Sequence, residues 1–461
     1  MYQLDFRHPC HIHFIGIGGI SMSGFAKLLQ SEGFTVSGSD GKASALTEEL
    51  AQMGVKVYIG QSASHITDDI DVVVYTAAIH PDNPEMVAAR VQGIPMLDRA
   101  EMVGQVMKNY PESVAVAGTH GKTTTTSMLS HIMIAGGKDP TISVGGILPA
   151  IGGNLRIGHT DSFLIEACEY TNSFLKFDPK IAVILNVDAD HLDFFRDLDD
   201  IRHSFRLFAE KLPKNGLLVL CGDIPDAAYF SEDLACRRTV TYGRGEGPYD
   251  YTAADVVFDE EGCASYTLIA HGEPQERVTL HVVGDHNVTN SLAAIAVADE
   301  LGISREQTLA GLSEFHGTER RFQHKGEVGG VTIVDDYAHH PTEIRATLNA
   351  VANTPHKKVW CVFQPHTYSR TKEHLEEFAD ALCLADHVIL ADIYAAREAD
   401  PGDISSADIQ KLIVMKGTPC EYLPSFEEIE KFILKNCMPG DLLITMGAGD
   451  VVNIGDALLN A

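Results

Sequence analysis

Val114-Ala115-Val116-Ala117-Gly118-Thr119-His120-Gly121-Lys122-Thr123-Thr124 decides the fold class. Val114–Ala117 is a short, wholly apolar run, the signature of a strand buried on both faces. A glycine-rich turn follows, and then the helix-like segment Thr125–Ala135. Strand, glycine turn, Lys-Thr and helix in that order form a phosphate loop. Gly118 and Gly121 let backbone N–H groups turn inward, and Thr119, His120 and Thr124 complete the turn. The helix N-terminus adds partial positive charge. Lys122 is placed to reach the β- and γ-phosphates of a nucleotide, and the Thr123 hydroxyl to bind Mg²⁺. The usual glycine five residues before Gly121 is replaced by Val116. An ordinary βα turn with a surface lysine is the minority alternative.

The same grammar runs outward in both directions. Apolar runs at His13–Ile17, Val72–Tyr75, Ile181–Leu185, Val331–Val334, Val359–Phe363, Val388–Ala391 and Leu442–Thr445 alternate with helix-like stretches. That alternation predicts an α/β protein built on parallel sheets. Residues 236–283 depart from it and read as antiparallel hairpins on the edge of a middle unit. With 461 residues the chain is long enough for about three domains. Polar, turn-forming stretches near Lys108–Glu112 and Phe315–Glu319 suggest units at 1–109, 110–317 and 318–461.

Composition narrows the function. Acidic residues outnumber basic ones 64 to 35, a net charge of −29, which argues against wrapping nucleic acid or an anionic membrane. No apolar run is long enough to span a bilayer, and the N-terminus lacks a signal-peptide pattern. Nine scattered cysteines without a CxxC pair read as reduced thiols of a cytoplasmic protein.

Further polar groups fall where strands end. Glu166 closes the run Phe163–Ile165, and Asp188-Ala189-Asp190-His191 follows the run ending at Leu185. In a parallel sheet both reach the edge that carries the phosphate loop, where a carboxylate and an imidazole could hold a second cation. Asp190 as a helix cap is the bland alternative. At the front, His13-Phe14-Ile15-Gly16-Ile17-Gly18-Gly19-Ile20-Ser21 is strand, glycine turn and helix, and the next strand ends in Asp40. This resembles a dinucleotide fold with an acidic group for a ribose, though Ser21 stands where the third glycine of the fingerprint belongs. A nicotinamide enzyme is the competing reading. In the rear half, His286, Asn287 and Asn290 open a helix, with the two asparagines three apart on one face. They suit an adenine edge or plain N-capping equally. Arg320-Arg321 suggests anion contact. Asp335-Asp336-Tyr337-Ala338-His339-His340-Pro341-Thr342-Glu343 and Gln364–Arg370 each follow a strand and gather more polar side chains than core packing explains.

Taken together, HFIGIGGISMSG, VSGSD, GTHGKTTTT, EACEY, DADHLD, GDHNVTN, GTERRF, VDDYAHHPTE and FQPHTYSRT resemble the Mur ligase family over essentially the whole chain. The resemblance implies N- and C-terminal Rossmann-like units flanking a central ATPase. It implies that L-alanine is joined to UDP-N-acetylmuramate through an acyl phosphate in peptidoglycan precursor synthesis. A recycling ligase that attaches a preformed peptide to the same sugar is the near alternative, and a nucleotide switch without chemistry a remoter one. By resemblance, the front turn (Gly16, Gly18, Gly19, Ser21, Asp40) holds the UDP-sugar rather than NAD. Lys122, Glu166, His191, Arg320 and His339 are the catalytic set, with Mg²⁺ on Thr123, Glu166 and His191. Arg320 steadies the phosphates, His286, Asn287 and Asn290 hold adenine, and Asp336 touches the ATP ribose. Tyr337, His339 and Arg370 face the amino acid, with Thr367 standing where many relatives carry arginine. Those last residues complete the site only when the C-terminal unit closes.

Overall fold

The computed structural model describes residues 2–236, 238–351, 354–396 and 398–460. Three sheets follow one another along the chain. The first is all parallel, in the order Lys56–Ile59, Thr35–Asp40, His11–Ile15, Val72–Tyr75, Met96–Asp98. Its first strand ends two residues before the predicted Ile17, because Gly16 turns the chain at φ 86°. A Cβ there would lie 2.7 Å from Thr76 Cγ2, so the turn needs glycine for space as well as conformation.

The central sheet has ten strands. Glu112–Ala117 lies between Ile181–Ile184 and Ser162–Glu166, both parallel to it. The parallel set extends through Leu217–Cys221 and Thr239–Tyr242 on one side and Thr141–Leu148 on the other. Tyr251–Phe258, Cys263–Ala270 and Glu273–Val283 form the expected antiparallel meander at one edge. Thr239–Tyr242 also lies in the expected hairpin region, yet it pairs in parallel with Leu217–Cys221.

The third sheet runs Gln323–Val328, Val331–Asp336, Leu442–Met446, Val359–Phe363, His387–Leu390, Cys420–Tyr422. Its first two strands form an antiparallel hairpin and the rest are parallel.

The apolar cores are not divided three ways. One continuous cluster joins Phe14, Phe25 and Val74 in and around the first sheet to Val116, Phe163 and Leu292 around the central one. The seam is tight. Gly24 of the helix Ile20–Ser31 packs on Leu155, and a Cβ at Gly104 would lie 2.0 Å from the Lys176 carbonyl. The third sheet has its own cores, one on each face. Among the described residues no helix is long and apolar enough to cross a membrane.

Candidate active site

The phosphate loop sits at the C-terminal end of Glu112–Ala117, and each flanking strand delivers its own polar groups beside it. The helix starts at Lys122 behind Gly121, whose φ is 79°. A Cβ on Gly121 would sit 2.7 Å from Asn290 Oδ1. The loop is locked to the neighbouring strand end: Asn186 accepts from the His120 N–H at 2.8 Å, and Thr119 Oγ1 accepts from the Asp188 N–H at 2.9 Å.

Lys122 folds over its own loop. Its ammonium donates to the Gly118 and Thr119 carbonyls and to Glu169 at 2.9 Å. Burial works against the charged lysine, but the Glu169 carboxylate overcomes that, and the lysine pKa is raised. Glu169 was absent from the sequence-derived catalytic set. Its signal was visible, an acid three residues beyond Glu166, but only the turn after the strand shows that it points back to the lysine. Thr123 donates to Glu166 at 2.9 Å, and Glu166 also accepts from the Gly145 N–H at 2.8 Å. His191, at φ 54°, places Nε2 3.8 Å from both Glu169 and Asp190.

Two cavities meet at this loop. One, of about 930 Å³, is lined by Gly121, Thr124, His286, Asn287, Asn290 and Asp336. The helix here begins at His286, so the asparagines lie inside it and do not cap it. Asn287 donates to the Val283 carbonyl and accepts from Asn290, which fixes both amides in the wall. The Asp336 carboxyl is pushed up to about 6 by burial, against the pull of Arg321. It accepts from the Phe322 and Ala338 N–H groups and the Thr347 hydroxyl.

The other cavity, of about 580 Å³, joins Lys122, Thr123, Glu166 and His191 to Tyr337, His339 and Arg370 of the third unit. Arg370 donates to Asp190 at 3.0 Å and to His366 Nδ1 at 3.2 Å. That ion pair overcomes burial and holds the Asp190 pKa well below the usual carboxylate range. His339, His366 and the nearby His340 are each held near 4, first by burial, with Arg370 adding to the effect on the first two and His120 on the third. His339 Nδ1 lies 3.0 Å from the Tyr337 carbonyl and must donate to it, so the neutral ring keeps its lone pair on Nε2.

The two adjacent arginines point to different places. Arg320 spends its guanidinium inside the third unit, on Asp335 at 3.0 Å and on the Gly447 and Gly449 carbonyls. Arg321 lines both cavities and lies 3.5 Å from Thr123 Oγ1. The residue after Thr318-Glu319 turns left-handed, Arg320 at φ 61°, and that turn directs the second arginine, not the first, to the phosphate loop. Both guanidiniums lie over the Tyr337 ring, at 5.0 and 5.3 Å from its centre.

At the front turn, Asp40 accepts from the Gly18 N–H at 2.9 Å, so its carboxylate braces the glycine turn. The helix behind it has Gly19 as N-cap with no side-chain cap. Ser21 accepts from Arg99 at 3.3 Å.

A glycine loop at the end of a parallel-sheet strand, roofed by a third unit that contributes an arginine and uncharged histidines, is the architecture of a three-unit ligase. Mur ligase profiles cover the chain in series: the family's catalytic-domain profile at residues 11–111, the middle domain at 116–298 and the glutamate ligase domain at 320–449. The chain belongs to the Mur ligase family. It is 59% identical over its full length, and that of the relative, to a UDP-N-acetylmuramate–L-alanine ligase of Lachnospira eligens, and 58% identical to one of Agathobacter rectalis, again end to end. The crystal structure of UDP-N-acetylmuramate–alanine ligase MurC from Thermotoga maritima superimposes with a TM-score of 0.80 at 30% identity, covering 98% of each chain. A murein peptide ligase of Psychrobacter arcticus gives 0.70 at 26% identity, with the same coverage.

Proposed function

We propose that this protein joins L-alanine to UDP-N-acetylmuramate at the expense of ATP. The observation that carries the reading is the 580 Å³ cavity, where the phosphate-binding lysine and a carboxylate-binding arginine face one another across two units. Full-length identity of 58–59% to L-alanine ligases, against 26% to a peptide ligase, favours a single amino acid over a preformed peptide. The three segments 1–109, 110–317 and 318–461 then serve the UDP-sugar, the nucleotide and the closing amino-acid half-site.

Phosphoryl transfer to the muramoyl carboxylate brings two anions together, which is costly unless cations shield them. Lys122 and Arg321 supply fixed positive charge on either side of the loop. Thr123 and Glu166 offer oxygen donors 2.9 Å apart, which suits Mg²⁺. Among the described residues no group of three or more His, Cys, Asp or Glu could hold a metal alone. Thr123, Glu166 and His191, which line one cavity, would hold such a cation together with phosphate oxygens. Such an ion neutralises charge on the transferring phosphoryl group. Asn287, Asn290 and His286 line the space for adenine, and Asp336 for the ribose. The front turn (Gly16, Gly18, Gly19, Ser21, Asp40) is read as the diphosphate cradle of the UDP-sugar.

Arg370 takes the carboxylate of the incoming amino acid. Its amine must be unprotonated to attack the acyl phosphate, and His339 Nε2, whose lone pair is free, can accept a hydrogen bond from it. The tetrahedral adduct then expels phosphate. The test is ATP-dependent phosphate release with each substrate omitted in turn. Turnover should require both UDP-N-acetylmuramate and L-alanine, and no turnover with the pair rejects the reading.

A further inference from the structure

We propose that Glu398 is the positioning residue for amino-acid recognition: its carboxylate fixes the backbone segment that aims Arg370 into the cavity. The inference rests on the reading that Arg370 binds the amino acid's carboxylate. Arg370 sits on a helix of six residues, Tyr368–Glu373, too short to be rigid by itself. The turn before it is strained. Thr367 adopts φ 68° and ψ 146°, a region nearly reserved to glycine and costly for a β-branched side chain. Such a conformation persists only when its surroundings over-determine it.

The surroundings come from Tyr394 and Glu398. The Thr367 N–H donates to the Tyr394 carbonyl at 2.9 Å, and the Tyr394 N–H returns to the Pro365 carbonyl at 2.8 Å. The rings of His366 and Tyr394 stack at 5.7 Å. Glu398 closes the clamp. One of its oxygens accepts from the Tyr368 N–H at 2.7 Å and the Ser369 N–H at 2.9 Å, and the other from the Ser369 hydroxyl. Those two amides are the unpaired donors of the helix's first turn. Its charge also faces Arg370, and these contacts together keep the carboxyl ionised, with its pKa lowered against the effect of burial. Because Glu398 also lines the cavity, a shift of the clamp moves the guanidinium relative to the substrate, leaving the phosphate loop untouched.

The experiment is steady-state kinetics on the full-length enzyme with Glu398→Gln, Glu398→Asp and Arg370→Ala, each with a melting temperature. The expected result for Glu398→Gln is an L-alanine KM raised about tenfold, with the ATP KM changed less than about twofold and kcat less than about threefold. Glu398→Asp should recover most of that loss, because it keeps the charge. A raised L-alanine KM in Arg370→Ala with an unchanged one in Glu398→Gln overturns the inference. An unchanged KM in Arg370→Ala overturns instead the assignment of Arg370. Parallel losses in every KM and in melting temperature, without recovery by Glu398→Asp, show a merely structural role and also overturn the inference.

Discussion

Oε1 of Glu343 lies 3.3 Å from Nδ1 of His120, so the first turn of a C-terminal helix grips the phosphate loop. Asp188 faces the other ring nitrogen at 3.2 Å. Glu343 also accepts from the His339 and His340 N–H groups, which makes it the cap of its own helix and the link to the loop at once. Burial alone would favour neutral His120, but Asp188 and Glu343 together raise its pKa from 6.5 to about 9. A folded-state pKa above the unfolded one means the stabilisation is complete below pH 6.5 and is lost as pH rises through about 9. We expect this contact to contribute roughly 2–3 kcal/mol at neutral pH and to fade above it. Thermal melts from pH 6 to 10 check this. His120→Ala should flatten that dependence.

Acid should act on the same interface through its uncharged histidines. His339, His340 and His366 have folded-state pKa values near 4, below the unfolded 6.5. The unfolded or opened chain therefore binds protons first, and stability falls as pH drops from 6.5 toward 4. His340 donates Nε2–H to the Ala189 carbonyl across the units at 3.1 Å. Small-angle scattering of the free enzyme should show expansion near pH 5 that His340→Gln reduces.

Lys122→Ala should abolish phosphate release, by about a thousandfold or more, as expected when the charge shielding the transferred group is lost. It should also destabilise the protein, because Glu169, almost fully buried, would be left without its cation. Breaking a buried pair of this kind costs on the order of 3–5 kcal/mol. Lys122→Ala combined with Glu169→Gln should recover much of that stability and none of the activity. A melting curve and a phosphate assay separate the two effects.

Arg321→Ala should lower kcat/KM for ATP by about 10- to 100-fold with little change in melting temperature, as loss of one charge-assisted phosphate contact implies. Arg320→Ala should do the reverse. It leaves Asp335, fully buried and with its pKa already raised by burial, without its guanidinium partner. The opposite pattern would restore Arg320 to the phosphate.

What could be read from the chain was set by short-range chemistry. The phosphate loop, the alternation of strand and helix and the antiparallel edge were legible because each is specified within a few tens of residues. That Glu166 and His191 would reach the loop's cavity was legible because strand ends in a parallel sheet share an edge. Which of the two adjacent arginines lies nearer the loop was not legible, because neighbouring side chains diverge and the left-handed backbone at Arg320 leaves no mark in composition. Glu169 was passed over because its direction depends on the turn after Glu166. Glu343 was recognised as part of a motif, but its contact with His120 spans 223 positions. No local pattern encodes such a pairing.

The continuous apolar cluster beneath the first two sheets, and the separate cores of the third, have an evolutionary consequence. The first two units, proposed above to bind the sugar and ATP, share one foundation and must mutate in concert. The third unit carries Arg370, Tyr337 and His339 on its own foundation. A lineage can therefore redesign the roof while the units below keep their shape.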